Sequence, residues 1–382
     1  MSKTRAGGGG RREFLRSVAT AAAFTIVPRH VLGGPRYVPP SEKLNIACIG
    51  VGGMGADDTR QVGTENIVAL CDVDDKHAAP TFEMFPAAKK YHDFREMLDK
   101  QGKNIDAVTV STPDNTHAVA AMMAIKMGKH VYCQKPLAHD IFEVRQLTEA
   151  ARKHNVVTQM GIQIHAENAV KLVVEIIKSG AIGEVRKVDI WSGKIWGGGT
   201  RPTETPPVPQ WLSWDLWLGP ALWRPYHPAY LPGEWRRWWD FGTATLGDMG
   251  CHIIDPVFWA LDLGYPVSVE AQPGQFNNET YPEKTIVRWE FPARRDLPPV
   301  TVTWYDGANK PPRPAELEPE RNLPDQGGLY YGEKGTLLAP HMGNPRLIPE
   351  SNRIPRGVSH CGMKSFELPE PFLPRDVDHY QE

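Results

Sequence analysis

Charge of one sign is missing from this 382-residue chain, in which 43 lysines and arginines balance 45 aspartates and glutamates. A net charge of −2 gives no bulk attraction for nucleic acid or for an anionic membrane. Cysteine is sparse: Cys48, Cys71, Cys133, Cys251 and Cys361 are scattered, without the paired spacing of a metal site. An odd number at strand and turn positions predicts small buried residues rather than a disulfide framework. No metal site is expected. Beyond residue 40 there is no run of about 18 apolar residues, so no spanning helix is expected there. A hydrophobic share of 41% with 23% charged residues excludes a disordered or fibrous chain, and the length suits two domains.

The first 40 residues read as a leader and linker, outside the folded part. Arg11 and Arg12 precede Glu13-Phe14-Leu15-Arg16 and a short apolar stretch over 18–27. This is the pattern of a twin-arginine signal, read by a translocase that carries folded proteins. It predicts export to the periplasm or another extracytoplasmic space, with no stable membrane anchor after processing. Pro28, Pro35, Pro39 and Pro40 mark a loose linker.

Residues 41–160 alternate in the rhythm of a doubly wound parallel sheet. Strands are predicted at 44–49, 67–71, 105–110, 130–133 and 156–160, and helices at 116–126 and 140–154. Directly after the first strand comes Gly50-Val51-Gly52-Gly53-Met54-Gly55. Glycine there allows a tight turn, close approach of a pyrophosphate and close packing of the next helix. The second strand ends in Asp72, whose carboxylate can accept ribose hydroxyls and repel a 2′-phosphate, favouring NAD over NADP. Thr112, Pro113, Asn115 and Lys135 also stand at strand ends, where ligands of such sheets collect.

From Asn45 to Pro136 the chain resembles the glucose–fructose oxidoreductase/inositol dehydrogenase (Gfo/Idh/MocA) family. The resemblance rests on the glycine fingerprint, on Thr112-Pro113-Asp114-Asn115-Thr116-His117 and on Gln134-Lys135-Pro136. It implies that Gly50, Gly52, Gly53, Met54, Gly55, Thr112 and Pro113 line the cofactor, and that Lys135 reaches both nicotinamide and substrate. His117 reads as structural. The family usually has glutamate at 134. Glutamine keeps the size and hydrogen bonding but loses a charge, which leaves Lys135 freer and less supported.

Residues 161–382 read as an α+β domain with a large, mostly antiparallel sheet. A helix is predicted at 170–177, and strands at 185–196, 267–271, 285–291 and 300–305; 306–328 read as a surface excursion and 328–338 as strand and turn. Asp248 and His252 are four apart and share one face of a helix. A carboxylate beside an imidazole raises its basicity and orients it for proton transfer. The family's D-x-x-x-H motif matches these two residues and implies catalysis. Gly242-Thr243-Ala244 replaces a glycine run of the family, so the loop entering the helix is expected to differ. The resemblance also implies that the sheet carries dimer or tetramer contacts. Family members continue beyond Glu382 into a helix and a strand, so truncation here is one reading.

Seven of the 12 tryptophans fall between Trp211 and Trp239, with prolines and arginines interleaved. This predicts a long ordered loop pinned by aromatic packing. Trp238 and Trp239 suit the apolar faces of a sugar, with Arg237 and Asp240 for its hydroxyls. The chain is thus expected to move hydride between bound NAD and a sugar or cyclitol. Two alternatives stay open: an NAD-dependent glycosidase or lyase that works by transient oxidation and elimination, and a non-catalytic sugar- and NAD-binding protein.

Overall fold

Alternating burial on both faces shapes the first sheet. In β1 (Asn45–Ile49), Ile46 and Cys48 pack with Ala78 and Phe82 on one face. Ala47 and Ile49 pack with Val108, Val110 and Ile125 on the other. A strand covered on both sides needs an unbroken apolar run, and β1 and β2 (Asn66–Cys71) have one. The computed structural model describes residues 38–349, 370–375 and 378–380. Residues 1–37, which carry the twin-arginine run, lie outside the described residues, as does Cys361. Pro40–Glu42 form one short 3-10 turn within a separate N-terminal unit.

Six strands pair in parallel in the order β3-β2-β1-β4-β5-β6, completed by β3 (Lys89–Tyr91), β4 (Ala107–Val110), β5 (His130–Gln134) and β6 (Thr158–Gly161). Between them run α1 (Met54–Gln61), α2 (Asp75–Met84), α3 (Phe94–Gln101), α4 (Asp114–Lys126) and α5 (Ile141–His154). The sequence reading passes over α2, β3 and α3. β3 is a three-residue edge strand of charged and half-buried side chains, held by backbone pairing to β2.

The second sheet has seven strands in the order β13-β12-β11-β7-β10-β9-β8. They are β7 (Val185–Ser192), β8 (Ser268–Pro273), β9 (Thr285–Phe291), β10 (Val300–Asp306), β11 (Gln326–Gly332), β12 (Gly335–Pro340) and β13 (Arg346–Ile348). All neighbours are antiparallel except β7 and β10. The fold is therefore a parallel Rossmann sheet plus a domain built on a mostly antiparallel one. One face carries α6 (Asn168–Lys178) and α8 (Ala244–Leu261), with Val174, Ile176, Ile253 and Val257 packed on Val188, Ile190 and Val302. On the other, Leu317 is buried among Trp191, Leu329, Leu338 and Ile348. The stretch read as a surface excursion thus anchors part of a core. Among the described residues no helix is long and apolar enough to cross a membrane.

Candidate active site

A cavity of about 650 Å³ opens at the carboxyl ends of the parallel strands. Of the residues singled out from sequence, Gly50, Gly52, Gly53, Met54, Asp72, Thr112, Pro113 and Lys135 line it. Gly55 and Asn115 support it from behind. A Cβ on Gly55 would lie 1.8 Å from the Gly50 carbonyl oxygen, so only glycine lets α1 pack that closely. Gly50 itself has φ +75, and a Cβ there would meet the Ser111 carbonyl oxygen at 2.6 Å. Asn115 is buried, and its Nδ2 donates to the Leu218 carbonyl at 3.1 Å.

Asp72 also holds the backbone around the glycine turn. Its Oδ2 accepts the Val51 and Gly52 amides at 2.7 and 3.2 Å, and its Oδ1 accepts the Asp74 amide at 2.9 Å. Burial pushes its carboxyl upward, against the pull of these amides. The carboxylate thereby ties the glycine turn to the end of β2. The N-cap of α1 is Gly53, which offers no capping side chain. An uncapped helix start behind a glycine turn fits the pyrophosphate of a dinucleotide.

At the far end, Lys135 Nζ sits 2.6 Å from Asp248 Oδ1 and donates to the Asp248 carbonyl at 2.8 Å. Asp248 gathers further donors: Trp196 Nε1 at 2.8 Å, Arg236 Nε at 3.2 Å and Lys194 Nζ at 3.4 Å. Burial would raise its carboxyl. Lys135, Arg236 and Lys194 outweigh that and hold it well below the usual carboxylate range.

The Gfo/Idh/MocA oxidoreductase model, an NAD-binding Rossmann fold, matches residues 44–162, and that family's C-terminal alpha/beta model matches residues 166–291. The chain belongs to the Gfo/Idh/MocA family. NAD is the cofactor of its first domain. Among curated relatives, a myo-inositol 2-dehydrogenase of Thermotoga maritima is 28% identical over 152 residues, 39% of this chain and 45% of the relative. A levoglucosan dehydrogenase of Pseudarthrobacter phenanthrenivorans is 26% identical over 186 residues, 49% of this chain and 40% of the relative. The matches span less than half the length of these relatives. Among solved structures, GenD2 from gentamicin A biosynthesis, in complex with NAD, aligns with TM-score 0.56 at 20% identity, covering 82% of this chain and 75% of its own. WlbA dehydrogenase from Bordetella pertussis, in complex with NADH and UDP-GlcNAcA, aligns with TM-score 0.55 at 19% identity, covering 78% of each chain.

Within this Gfo/Idh/MocA fold, Asp248 and His252 share α8 without forming the expected pair. The Asp248 carboxylate is taken by Lys135, Lys194, Arg236 and Trp196, so it cannot orient the imidazole. Burial, followed by Lys135 and His341, pushes His252 down to about 3. The sequence argument for a raised basicity is thus reversed: Asp248 still favours the charged ring, but burial and the nearby Lys135 outweigh it. His252 lines a second, smaller cleft of about 30 Å³ with His341 and Tyr330.

Gln134 is explained by its neighbour. Its Nε2 donates to both oxygens of Asp58, at 3.1 and 3.0 Å. Ser111 Oγ and Tyr380 Oη complete that carboxylate at 2.7 and 2.8 Å. A glutamate at 134 would oppose Asp58 in a buried place. Nor is Lys135 left less supported by the change, because Asp248 is its counter-charge. His117 joins the loops: its ring nitrogens lie 2.7 Å from the Pro136 carbonyl and 2.9 Å from that of Thr112.

The tryptophan-rich segment packs as expected, with Trp214, Trp217, Tyr230, Trp235, Trp238 and Phe241 in one cluster. A short helix, α7 (Trp214–Leu218), interrupts it. The sugar-facing candidates are placed elsewhere. Trp238 is buried in the cluster, and Trp239 lies against the Tyr281 ring. Arg237 pairs with Glu234, and Asp240 with Arg224. Trp217, Trp235 and Arg236 line the cavity instead. Arg236 stands one residue before the arginine singled out from sequence. Lys194, Trp196, Asp58 and Tyr380 carry no local motif at all.

Proposed function

We propose that this protein transfers hydride between NAD and a hydroxyl carbon of a sugar or cyclitol. The observation that carries the reading is the Lys135–Asp248 couple at 2.6 Å, standing at the end of a cavity that starts at the glycine turn. Bound NAD supplies the hydride acceptor. Asp248 fixes Lys135 in place, and an ammonium held there stabilises the alkoxide that develops as a hydroxyl proton leaves. The family motif points to His252 as the group that takes that proton; the ring is neutral at pH 7 and so can accept it, but burial makes it a weaker base than an ordinary imidazole. The named relatives, an inositol and a levoglucosan dehydrogenase, support the substrate class. Asp72 at the ribose end supports NAD over NADP.

Lys135→Met tests this. Proton transfer and charge stabilisation of this kind are worth about 10²–10⁴-fold in rate, so turnover of a polyol panel, followed by nicotinamide fluorescence, should fall by that order. NAD at about a hundred times its Kd should still stabilise the variant by about 2.7 kcal/mol. Retained turnover would overturn the role of Lys135. Release of an alcohol from a glycoside with no net NADH would favour the elimination reading over a dehydrogenase. We further propose export by the twin-arginine route and assembly as a homo-oligomer through the second sheet.

A further inference from the structure

The ground around Asp248 holds more positive charge than it neutralises. Lys135, Lys194 and Arg236 place three cations against one carboxylate. Asp114 is the next carboxylate in reach of Lys135 and Arg236. It is 3% exposed and accepts from Thr243 Oγ1 at 2.6 Å. Counting it as ionised still leaves one positive charge over.

The donors are not used up either. An ammonium has three hydrogens and a guanidinium five. Lys135 spends two on Asp248, and Lys194 spends one at 3.4 Å. Arg236 spends Nε on Asp248 and one Nη1 hydrogen on the Gly233 carbonyl, leaving Nη2. Its guanidinium lies over the rings of Trp235 and Trp196, at 4.3 and 5.4 Å from their centroids, which fixes its plane. Beside this group, His252 and His341 stand with ring centroids 5.6 Å apart. The Nδ1 of each is buried without a hydrogen-bond partner among the described residues. Surplus cations with unused donors, one of them a guanidinium held in a fixed plane, are complementary to an anion that also carries hydroxyls.

We propose that the substrate is a sugar acid, its carboxylate held by Lys194 and Arg236 and a hydroxyl by the remaining hydrogen of Lys135. The proposal rests on the oxidoreductase reading above and narrows its substrate class. A carboxylate matches a surplus of one charge, whereas a phosphate dianion would exceed it. The planar, rigid guanidinium suits a carboxylate in the same way.

Equilibrium binding to the full chain with saturating NAD, followed by tryptophan fluorescence, tests this with galactose against galacturonate, glucose against glucuronate, and glucose 6-phosphate. At least one acid should bind ten times more tightly than its neutral partner, and the gap should narrow as salt rises. Lys194→Gln, at a half-exposed position, should close most of that gap, and Arg236→Lys should reduce it without removing charge. Neutral sugars binding as tightly as their acids, a gap untouched by Lys194→Gln, or tighter binding of the sugar phosphate would each overturn the proposal. Hydride transfer read in the same samples separates the two claims. Turnover of neutral polyols without acid preference removes only the acid subsite. Acid preference without hydride transfer to NAD from any compound removes the oxidoreductase reading and leaves the subsite.

Discussion

Between pH 6.5 and about 3, the unfolded chain protonates His252 while the folded protein holds the ring neutral. The unfolded state then binds more protons, so stability from this group falls as pH drops through that window. His252→Gln removes the difference, so its melting temperature should fall less than the wild type's between pH 7 and 4.5. Parallel losses in the two proteins would contradict the depressed histidine. Asp306, pushed up to about 6 by burial, has the opposite sign, and it cancels in the comparison because both proteins carry it. A second pair is as sharp. Gln134→Glu sets carboxyl against carboxyl at Asp58 and should cost about 1–3 kcal/mol in urea unfolding, the range for a buried polar group without its partner. Adding Asp58→Asn should recover much of that loss, whereas simple additivity of the two changes would show that they do not interact. The motif drew attention to position 134, but the reason for glutamine lies 76 residues away and could not be read locally.

Elements with their own periodicity were the legible ones. β1 and β2 are unbroken apolar runs, and β9 falls on the predicted 285–291. Edge strand β3 has neither pattern nor core, since pairing to β2 alone makes it a strand. α8 enters through Ala244 at φ +57, in the left-handed region where glycine costs less than alanine. The tryptophan-rich segment shows how an irregular element is held. Ser213 donates its amide to the Val73 carbonyl at 2.8 Å, and the Asp75 amide donates to the Trp211 carbonyl at 2.9 Å, binding the segment to the end of β2. Arg224, 3% exposed, pairs with Asp240 and lies over Tyr230 and Phe241. Arg224→Met should cost about 2–3 kcal/mol, below the usual loss for breaking a fully buried pair, because Asp240 is partly exposed. Tryptophan-monitored denaturation checks this. A loss under about 0.5 kcal/mol, the size of an ordinary surface change, would mean that ring packing alone holds the cluster.

At the scale of the whole molecule, the proposed export of the protein can be tested apart from its binding of NAD. If Arg11 and Arg12 direct export, changing both to lysine should leave the protein in the cytoplasm, seen by fractionation, with its NAD affinity unchanged. Equal export of both forms would rule out the twin-arginine route. The order of apolar and glycine positions along the chain determined the two sheets and the glycine turn, and short motifs that resemble the family's pointed to Lys135 and to the family. These follow from repeating local patterns, which neighbours in sequence are enough to set. Only the tertiary structure decided what Asp248 faces. A side chain on a helix can pair four residues along its own turn or reach across to another element. Lys135, Lys194, Trp196 and Arg236 arrive there from three other segments, and together their charges and donors outweigh one imidazole. The same convergence of distant segments moved the candidate substrate contacts from Trp238 and Trp239 to Arg236 and Lys194. Burial and charge at a site are sums over the folded chain, and no window of sequence contains them.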